Sequence, residues 1–275
     1  MLRTRVLTAV VLIPVVVFLI YLGDGYFLGL VAVLLGLAEM EFCQMMARDG
    51  YRVSPVFGIA LVWMFLANAY WPDLRLLEPG LALAALGAVS YHMAHREGSP
   101  VADWALTLTG GLYVGLCGGA LIRLRALEPD GLRWTLVGVF TIMVADSAAY
   151  FVGRALGRRR LAPQLSPGKT WEGYAAGVAA GGLWGALMGF LWPASCDAGT
   201  AAAQGLVMGL LVGVLAPLGD LAVSMMKRQV GVKDTGTIIK GHGGALDRVD
   251  SVLWTGVLVY YYVWWALGLA RQVHK

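Results

Sequence analysis

The sequence predicts an all-α, polytopic integral membrane protein of about nine transmembrane helices joined by short polar loops. Three observations carry this expectation. Hydrophobic residues make up 59% of the chain and charged residues only 14%, unlike the composition of a soluble domain. Mean hydropathy is +0.70. The apolar residues gather in windows of roughly 18 residues, the length that crosses a hydrocarbon layer about 30 Å thick. Such a segment must satisfy its own backbone hydrogen bonds, which favours helix over strand.

The first window, 6–23, is uncharged and follows Arg3 and Arg5. It is long for the apolar region of a cleavable signal peptide, and no A-x-A-like site precedes Asp24, so a retained helix is expected. The second, 26–42, ends beside Glu39 and Glu41, two residues apart and therefore on different helix faces. At least one is expected at the interface, and neither is assigned to catalysis. Pro55, Pro72 and Pro79 bracket the third and fourth windows, 56–71 and 80–95. The fifth, 104–126, closes on the turn Glu128-Pro129-Asp130, and the sixth, 134–153, runs into a basic stretch. The seventh, 174–193, ends at Pro193; the eighth, 201–223, carries Asp220; the ninth, 251–270, follows a polar segment. The chain thus divides into an N-terminal region of about four spans (1–103) and a C-terminal region of about five (104–275) that contains the polar segment 220–250. No tandem repeat or low-complexity linker interrupts it. The 37 glycines are dispersed, often beside alanine as in Gly177-Val178-Ala179-Ala180-Gly181-Gly182, where small residues let membrane helices approach closely.

Orientation follows from the bases. With the N-terminus inside, Arg3, Arg5, Arg48, Arg52, Arg96, the loop 154–173 and the loop 224–250 hold most of the 21 Lys and Arg. Only Arg75, Arg123, Arg125, Arg133, Arg271 and Lys275 remain outside. Both large polar loops are therefore expected in the cytoplasm. The net charge of +4 reports this topology and attraction to anionic lipid rather than a nucleic-acid partner. Cys43, Cys117 and Cys196 lack ligand-like spacing, which argues against disulfides or zinc.

The polar loops are the candidate catalytic loops. On a helix, Asp220, Ser224 and Lys227 or Arg228 fall at i, i+4 and i+7 or i+8, giving one face an acid, a hydroxyl and a base. Intramembrane acids are costly enough that function is the better reading of Asp220. Asp247 and Asp250, three apart, can face one way; Asp250 alternatively caps a helix or meets its dipole. Carboxylates converging from two helices suit a hard ion such as Mg²⁺ bridging to substrate phosphates, with a second cation as an open alternative. The turn Gly241-His242-Gly243-Gly244, flanked by Lys233, Lys240 and Arg248, can offer backbone N–H groups to an anion. His242 can contact phosphate, shuttle a proton or stabilise the loop. In the other loop, Asp146, Tyr150 and Arg154 follow at i, i+4 and i+8, and Gly168-Lys169-Thr170 imitates the end of a Walker A loop. Pro163 stands where its earlier glycine is required, which excludes a P-loop ATPase. Acids, bases and a glycine turn together point to phosphoryl or nucleotidyl transfer at a membrane surface.

These residues also carry a resemblance. Ser224-Met225-Met226-Lys227-Arg228, Lys233-Asp234 and His242-Gly243-Gly244-Ala245-Leu246-Asp247-Arg248-Val249-Asp250 resemble the signature of phosphatidate cytidylyltransferases, also called CDP-diacylglycerol synthases. Asp146-Ser147-Ala148-Ala149-Tyr150, Gly153-Arg154, Gly157 and the run Ser166 to Gly173, including Lys169, Thr170 and Glu172, are similar to the same family. One departure is Lys240, where the family usually has proline before the glycine turn; it frees a backbone N–H and adds a charge.

The resemblance implies transfer of the cytidylyl group of CTP to phosphatidate, giving CDP-diacylglycerol and pyrophosphate. On that reading Asp220 and Asp247, with Asp146 or Asp250, hold Mg²⁺. Lys227, Arg228, Lys233 and Arg248 neutralise the triphosphate. Ser224, Gly243 and Gly244 orient phosphate oxygens, and Arg154 and Lys169 receive the lipid headgroup. Asp234, His242, Ser166 and Thr170 join the substrate-binding set through the matched motifs. The implied partners are CTP, phosphatidate and membrane lipid, in a bacterial inner membrane with the site facing the cytoplasm. A homodimer is compatible with the Gly/Ala-rich spans. The alternatives are a CTP-dependent transferase acting on another lipid phosphate and, from a different class, a transporter, whose acids would lie near midplane in paired repeats.

Overall fold

The computed structural model describes residues 2–95, 98–193, 196–236 and 243–268. Among these the fold is nearly all helical: α1 (Leu2–Leu22), α2 (Asp24–Arg48), α3 (Pro55–Tyr70), α4 (Leu77–Ala94), α5 (Pro100–Arg125), α6 (Gly131–Leu156), α7 (Trp171–Leu191), α8 (Ala198–Leu215), α9 (Pro217–Gln229) and α10 (Leu246–Tyr261), with a π-helical turn at Tyr262–Ala266. Among the described residues each of the nine predicted windows lies largely on helix. Five segments are long and apolar enough to cross a membrane: Asp24–Arg48, Pro100–Arg125, Gly131–Leu156, Trp171–Leu191 and Ala198–Gln229. The chain is therefore an integral membrane protein.

Two details correct the sequence reading. The chain is not wholly α-helical: the loop 154–173 contains a small antiparallel ribbon of β1 (Arg160–Ala162) and β2 (Ser166–Thr170). Its register pairs Arg160 with Thr170 and Ala162 with Ser166. The predicted eighth window, 201–223, is also not one helix. It breaks at Ala216, and Pro217 opens α9 because proline has no N–H for the helical ladder but suits a first turn. Near the break the Val214 carbonyl accepts a hydrogen bond from the Tyr174 hydroxyl at 2.8 Å, supplying a donor where the ladder is interrupted.

The residues cluster into two compact units. The first unit comprises 1–126 and 226–249. Its core is built where α3 packs on α5 and both meet α2, around Leu35, Phe42, Leu61, Phe65, Leu66 and Val114. Arg125, at the end of α5, donates to the carbonyls of Ile20 (2.7 Å) and Tyr21 (3.1 Å), satisfying acceptors left open at the end of α1.

The second unit comprises 127–225 and 250–275. Here α7 packs on α8 and on α6. The α7–α8 seam is nearly backbone against backbone. A Cβ added to Gly205 would strike the Gly185 carbonyl, and one on Gly209 would strike that of Gly181. Such an approach gains dispersion and close packing in a medium where hydrophobic burial contributes little. On its other face α7 leaves Leu183, Leu187 and Phe190 exposed, as a lipid-facing surface requires.

Gly205→Val should force this seam apart, with an overpacking cost of roughly 1–3 kcal/mol. Thermal unfolding in detergent should show a lowered midpoint for the variant. An unchanged midpoint would contradict the backbone contact.

Candidate active site

The polar residues named from sequence gather in two charged clusters, one within each unit.

In the first unit the organising group is Asp247, in the first turn of α10. Its Oδ1 accepts from Lys227 Nζ at 2.6 Å. Its Oδ2 accepts from the backbone N–H of Thr235 at 2.9 Å, from the Thr235 hydroxyl at 3.1 Å and from Gly244 N–H at 3.3 Å. The ion pair is mostly buried, with side-chain exposures of 11% for Lys227 and 8% for Asp247. Local structure places both partners. The end of α9 is a Schellman cap: Val232 N–H bonds the Lys227 carbonyl at 2.9 Å and Gly231 N–H bonds that of Arg228 at 3.2 Å. Gly231 adopts φ +71° there, a left-handed conformation that costs glycine nothing. The cap ends the helix two residues after Lys227, at Gln229, and turns the chain towards Thr235. Gly243 also has positive φ, and the space its missing side chain leaves open is bordered by Asp247, Arg248 and Asp234. Arg228, Lys233, Asp234 and Arg248 are exposed around this centre. His242, with Gly241 and Lys240, lies outside the described residues.

The second cluster centres on Asp220, in the first turn of α9, which pairs with Lys169 Nζ at 2.5 Å. Ser224, one turn on, directs its hydroxyl at Asp220 Oδ1 at 3.5 Å, the outer limit of a hydrogen bond. Asp146, on α6, lies near enough to Lys169 and Asp220 to interact electrostatically with both. Lys169 reaches this point because β2 carries it. Thr170, which follows, caps α7 by accepting from Gly173 N–H at 3.1 Å. Glu172 holds the strand's approach by accepting from the backbone N–H of Arg158 at 3.0 Å and of Arg159 at 3.3 Å. Gly168-Lys169-Thr170 is thus a strand entering a helix, with its lysine on a carboxylate. Ser166 stands at the start of β2, and Arg154, on the exposed end of α6, donates to the Tyr150 hydroxyl at 3.1 Å.

Asp250 is buried within α10, and its Oδ1 accepts from Ser251 N–H at 2.6 Å. Because α10 begins at Leu246, Asp250 is not the helix cap that one reading allowed. A Cβ on Gly219 would strike the Asp250 carbonyl and the Trp254 ring, so glycine lets the start of α9 lie directly against α10 beside Asp220.

Of the four acids named for a metal, Asp247 belongs to the first unit and Asp146, Asp220 and Asp250 to the second. Two residues central to the first cluster were not identified from sequence. Glu41 is wholly buried rather than interfacial; its Oε2 accepts from the Thr235 hydroxyl at 2.9 Å and from Leu246 N–H at 3.0 Å. Thr235 joins that carboxylate to Asp247. The one signal in the chain is that Glu41 is an acid in a long apolar helix, a rarity that favours function.

Comparison with known proteins places this geometry in a chemical context. Residues 3–266 match the Cytidylyltransferase family. A protein of Bacillus subtilis named phosphatidate cytidylyltransferase is 30% identical over 263 residues, covering 94% of this chain and 96% of the relative. Relatives with the same name from Haemophilus influenzae and Pseudomonas aeruginosa are 31% and 36% identical, covering 92% and 98% of this chain and 95% and 98% of their own lengths.

Asp247 also makes a prediction about pH. Burial pushes its carboxyl upward, but the Lys227 ammonium and the N–H groups of Thr235 and Gly244 outweigh this and hold it below the usual 3.8. A depressed folded-state value means the ionised carboxylate contributes stability that is complete above the unfolded value and lost as pH falls through the folded one. Acidification from about pH 6 to about pH 3 should therefore narrow the difference in thermal midpoint between wild type and Asp247→Asn. A difference that holds or widens would contradict this assignment.

Proposed function

The chain belongs to the cytidylyltransferase family, and on that premise we propose how its two charged clusters serve the reaction. The enzyme is a nucleotidyltransferase of phospholipid biosynthesis: it transfers the cytidylyl group of CTP to phosphatidate, forming CDP-diacylglycerol and pyrophosphate. The observation that carries this is similarity along nearly the whole chain, within which the acids and bases of both clusters lie.

The phosphate of phosphatidate is already an anion. It attacks the α-phosphorus of CTP without a strong general base, the bond from that phosphorus to the bridging oxygen of the β-phosphate breaks, and pyrophosphate leaves. The protein must bring two like-charged groups together, align them and stabilise the charge that spreads in the transition state. We assign Lys227, with the exposed Arg228, Lys233 and Arg248, to the triphosphate and the departing pyrophosphate. Asp247 keeps Lys227 at its post through the 2.6 Å ion pair. The Gly244 N–H is committed to Asp247, so of the two glycine amides we assign Gly243 to phosphate oxygen. Lys169 and Arg154 receive the lipid headgroup in this reading.

The donor set of the second cluster fits Mg²⁺. Asp146 and Asp220 are hard oxygen donors, and Asp220 already pairs with a cation, the Lys169 ammonium. Among the described residues no three acidic, histidine or cysteine side chains gather as a complete cage. The proposal is accordingly of one or two carboxylates whose ion is completed by substrate phosphates, a common arrangement for Mg²⁺. Asp220 and Asp146 come first in it, with Asp250 of the same unit as a further candidate. When bound, Mg²⁺ would screen the triphosphate and polarise its oxygens.

We further propose that all nine windows span the bilayer, that both clusters face the cytoplasm of a bacterial inner membrane, and that the enzyme works as a homodimer without a nucleic-acid partner. The orientation is supported by the basic residues of 154–173 and 224–250, the association by the Gly/Ala-rich helix faces.

Purified enzyme in detergent micelles containing phosphatidate should convert CTP to CDP-diacylglycerol and pyrophosphate. Chelation of divalent cations should stop the conversion, and added Mg²⁺ should restore it. Asp220→Ala should lower turnover on the order of 10²-fold or more while the protein remains folded by size-exclusion chromatography. Near-normal turnover of that folded variant would remove Asp220 from the site.

A further inference from the structure

We propose that Glu41 is a positioning residue for cytidylyl transfer, setting the geometry of Lys227 and Asp247 from a helix nearly two hundred residues away in sequence. The proposal rests on the reaction assigned above and on contacts within the first unit alone.

Glu41 lies near the end of α2 with no exposed surface, so it has nothing to offer CTP or lipid directly. Its Oε2 accepts two hydrogen bonds. One comes from the N–H of Leu246, the first residue of α10. The first N–H groups of a helix have no partner within it, and they carry the positive end of its dipole. A buried carboxylate there is a cap supplied from elsewhere in the chain, and it fixes where α10 begins. Asp247 is the next residue, so the place of its carboxylate follows from that start. The second bond comes from the Thr235 hydroxyl, which also lies 3.1 Å from Asp247 Oδ2. One hydroxyl proton serves one acceptor at a time, so Thr235 is gripped between two carboxylates while its backbone N–H holds Asp247.

The surrounding backbone is shaped to this carboxylate. A Cβ on Gly236 or on Gly244 would collide with Glu41, and Gly244 also sends its N–H to Asp247. Two glycines, one adjoining Thr235 and one two residues before Leu246, thus lie directly against an acid from α2. An apolar side chain of similar size would leave the Leu246 N–H and the Thr235 hydroxyl without this buried acceptor. Glu41 Oε1, against Gly236, has no hydrogen-bond partner. Filling space therefore does not account for a carboxylate here, whereas holding two donors on either side of Asp247 does.

The test uses the full-length enzyme in phosphatidate-containing micelles with saturating Mg²⁺. Glu41→Gln, Glu41→Ala and Thr235→Val are compared at equal amounts of folded protein. The expected result is a fall in kcat of about tenfold to 10²-fold for Glu41→Ala and for Thr235→Val, with the KM for CTP within about threefold of wild type. Glu41→Gln, which keeps one acceptor oxygen, should recover part of the loss. The double variant Glu41→Ala/Thr235→Val should be no worse than the weaker single variant, because both act through Asp247. A scaffold role would instead lower the folded yield and leave kcat per folded molecule unchanged. Should Glu41→Ala fail to fold, Thr235→Val alone decides, since it removes only a hydroxyl. Wild-type kcat in a folded Glu41→Ala or Thr235→Val variant, or additive losses in the double variant, overturns the proposal. A wild-type enzyme inactive on phosphatidate overturns the reaction assignment itself, which the variants leave untouched.

Discussion

An ionised carboxylate held inside so apolar a chain persists only where protein donors replace water, and the Asp247 carboxylate shows what that demands. It takes an ammonium from α9, a backbone N–H and a hydroxyl from the loop, and an N–H from the glycine turn. Each donor has to be delivered by separate local structure: a Schellman cap that stops α9 just past Lys227, a turn to Thr235, and a positive-φ glycine before Gly244. Lys227 is taken up by this ion pair, while Lys233 and Arg248 stand exposed.

The second cluster solves the same problem differently. Asp220 pairs with a lysine carried by a two-stranded ribbon, Asp146 is near enough to interact with both, and the ribbon is tied down by Glu172 and by Thr170 at the start of α7. The helices beneath it pack through glycine, and the interruption at Ala216 lets a new helix begin with Asp220 in its first turn, where an acid is favoured by the helix dipole. Packing, helix breaking and chemistry therefore meet in one short stretch of chain.

Much of this could be read from residue order. Among the described residues the nine apolar windows lie largely on helix, because hydrophobic length and the need to satisfy backbone hydrogen bonds are properties of contiguous sequence. The spacing of Asp220, Ser224 and Lys227 correctly placed an acid, a hydroxyl and a base on α9, since helical periodicity is local. The pairing of Lys169 with Asp220 had no such signal. They are fifty-one residues apart, and the ribbon that presents Lys169 is too short to show an alternating pattern. Glu41 was set aside because it is two residues from Glu39, a fact about one helix that says nothing of what packs against it.

Composition and spacing by themselves determined a helical membrane protein whose loops bear acids, bases and a glycine turn, and motif order carried the resemblance to cytidylyltransferases. Tertiary structure alone decided which acid answers which base, that Gly244 donates to Asp247, and that α10 starts where a carboxylate from α2 meets it. The physical reason is range. Hydrophobic period, helix breaking and turn chemistry act over a few residues, whereas a buried charge is settled by whichever donors the fold brings within about 3 Å.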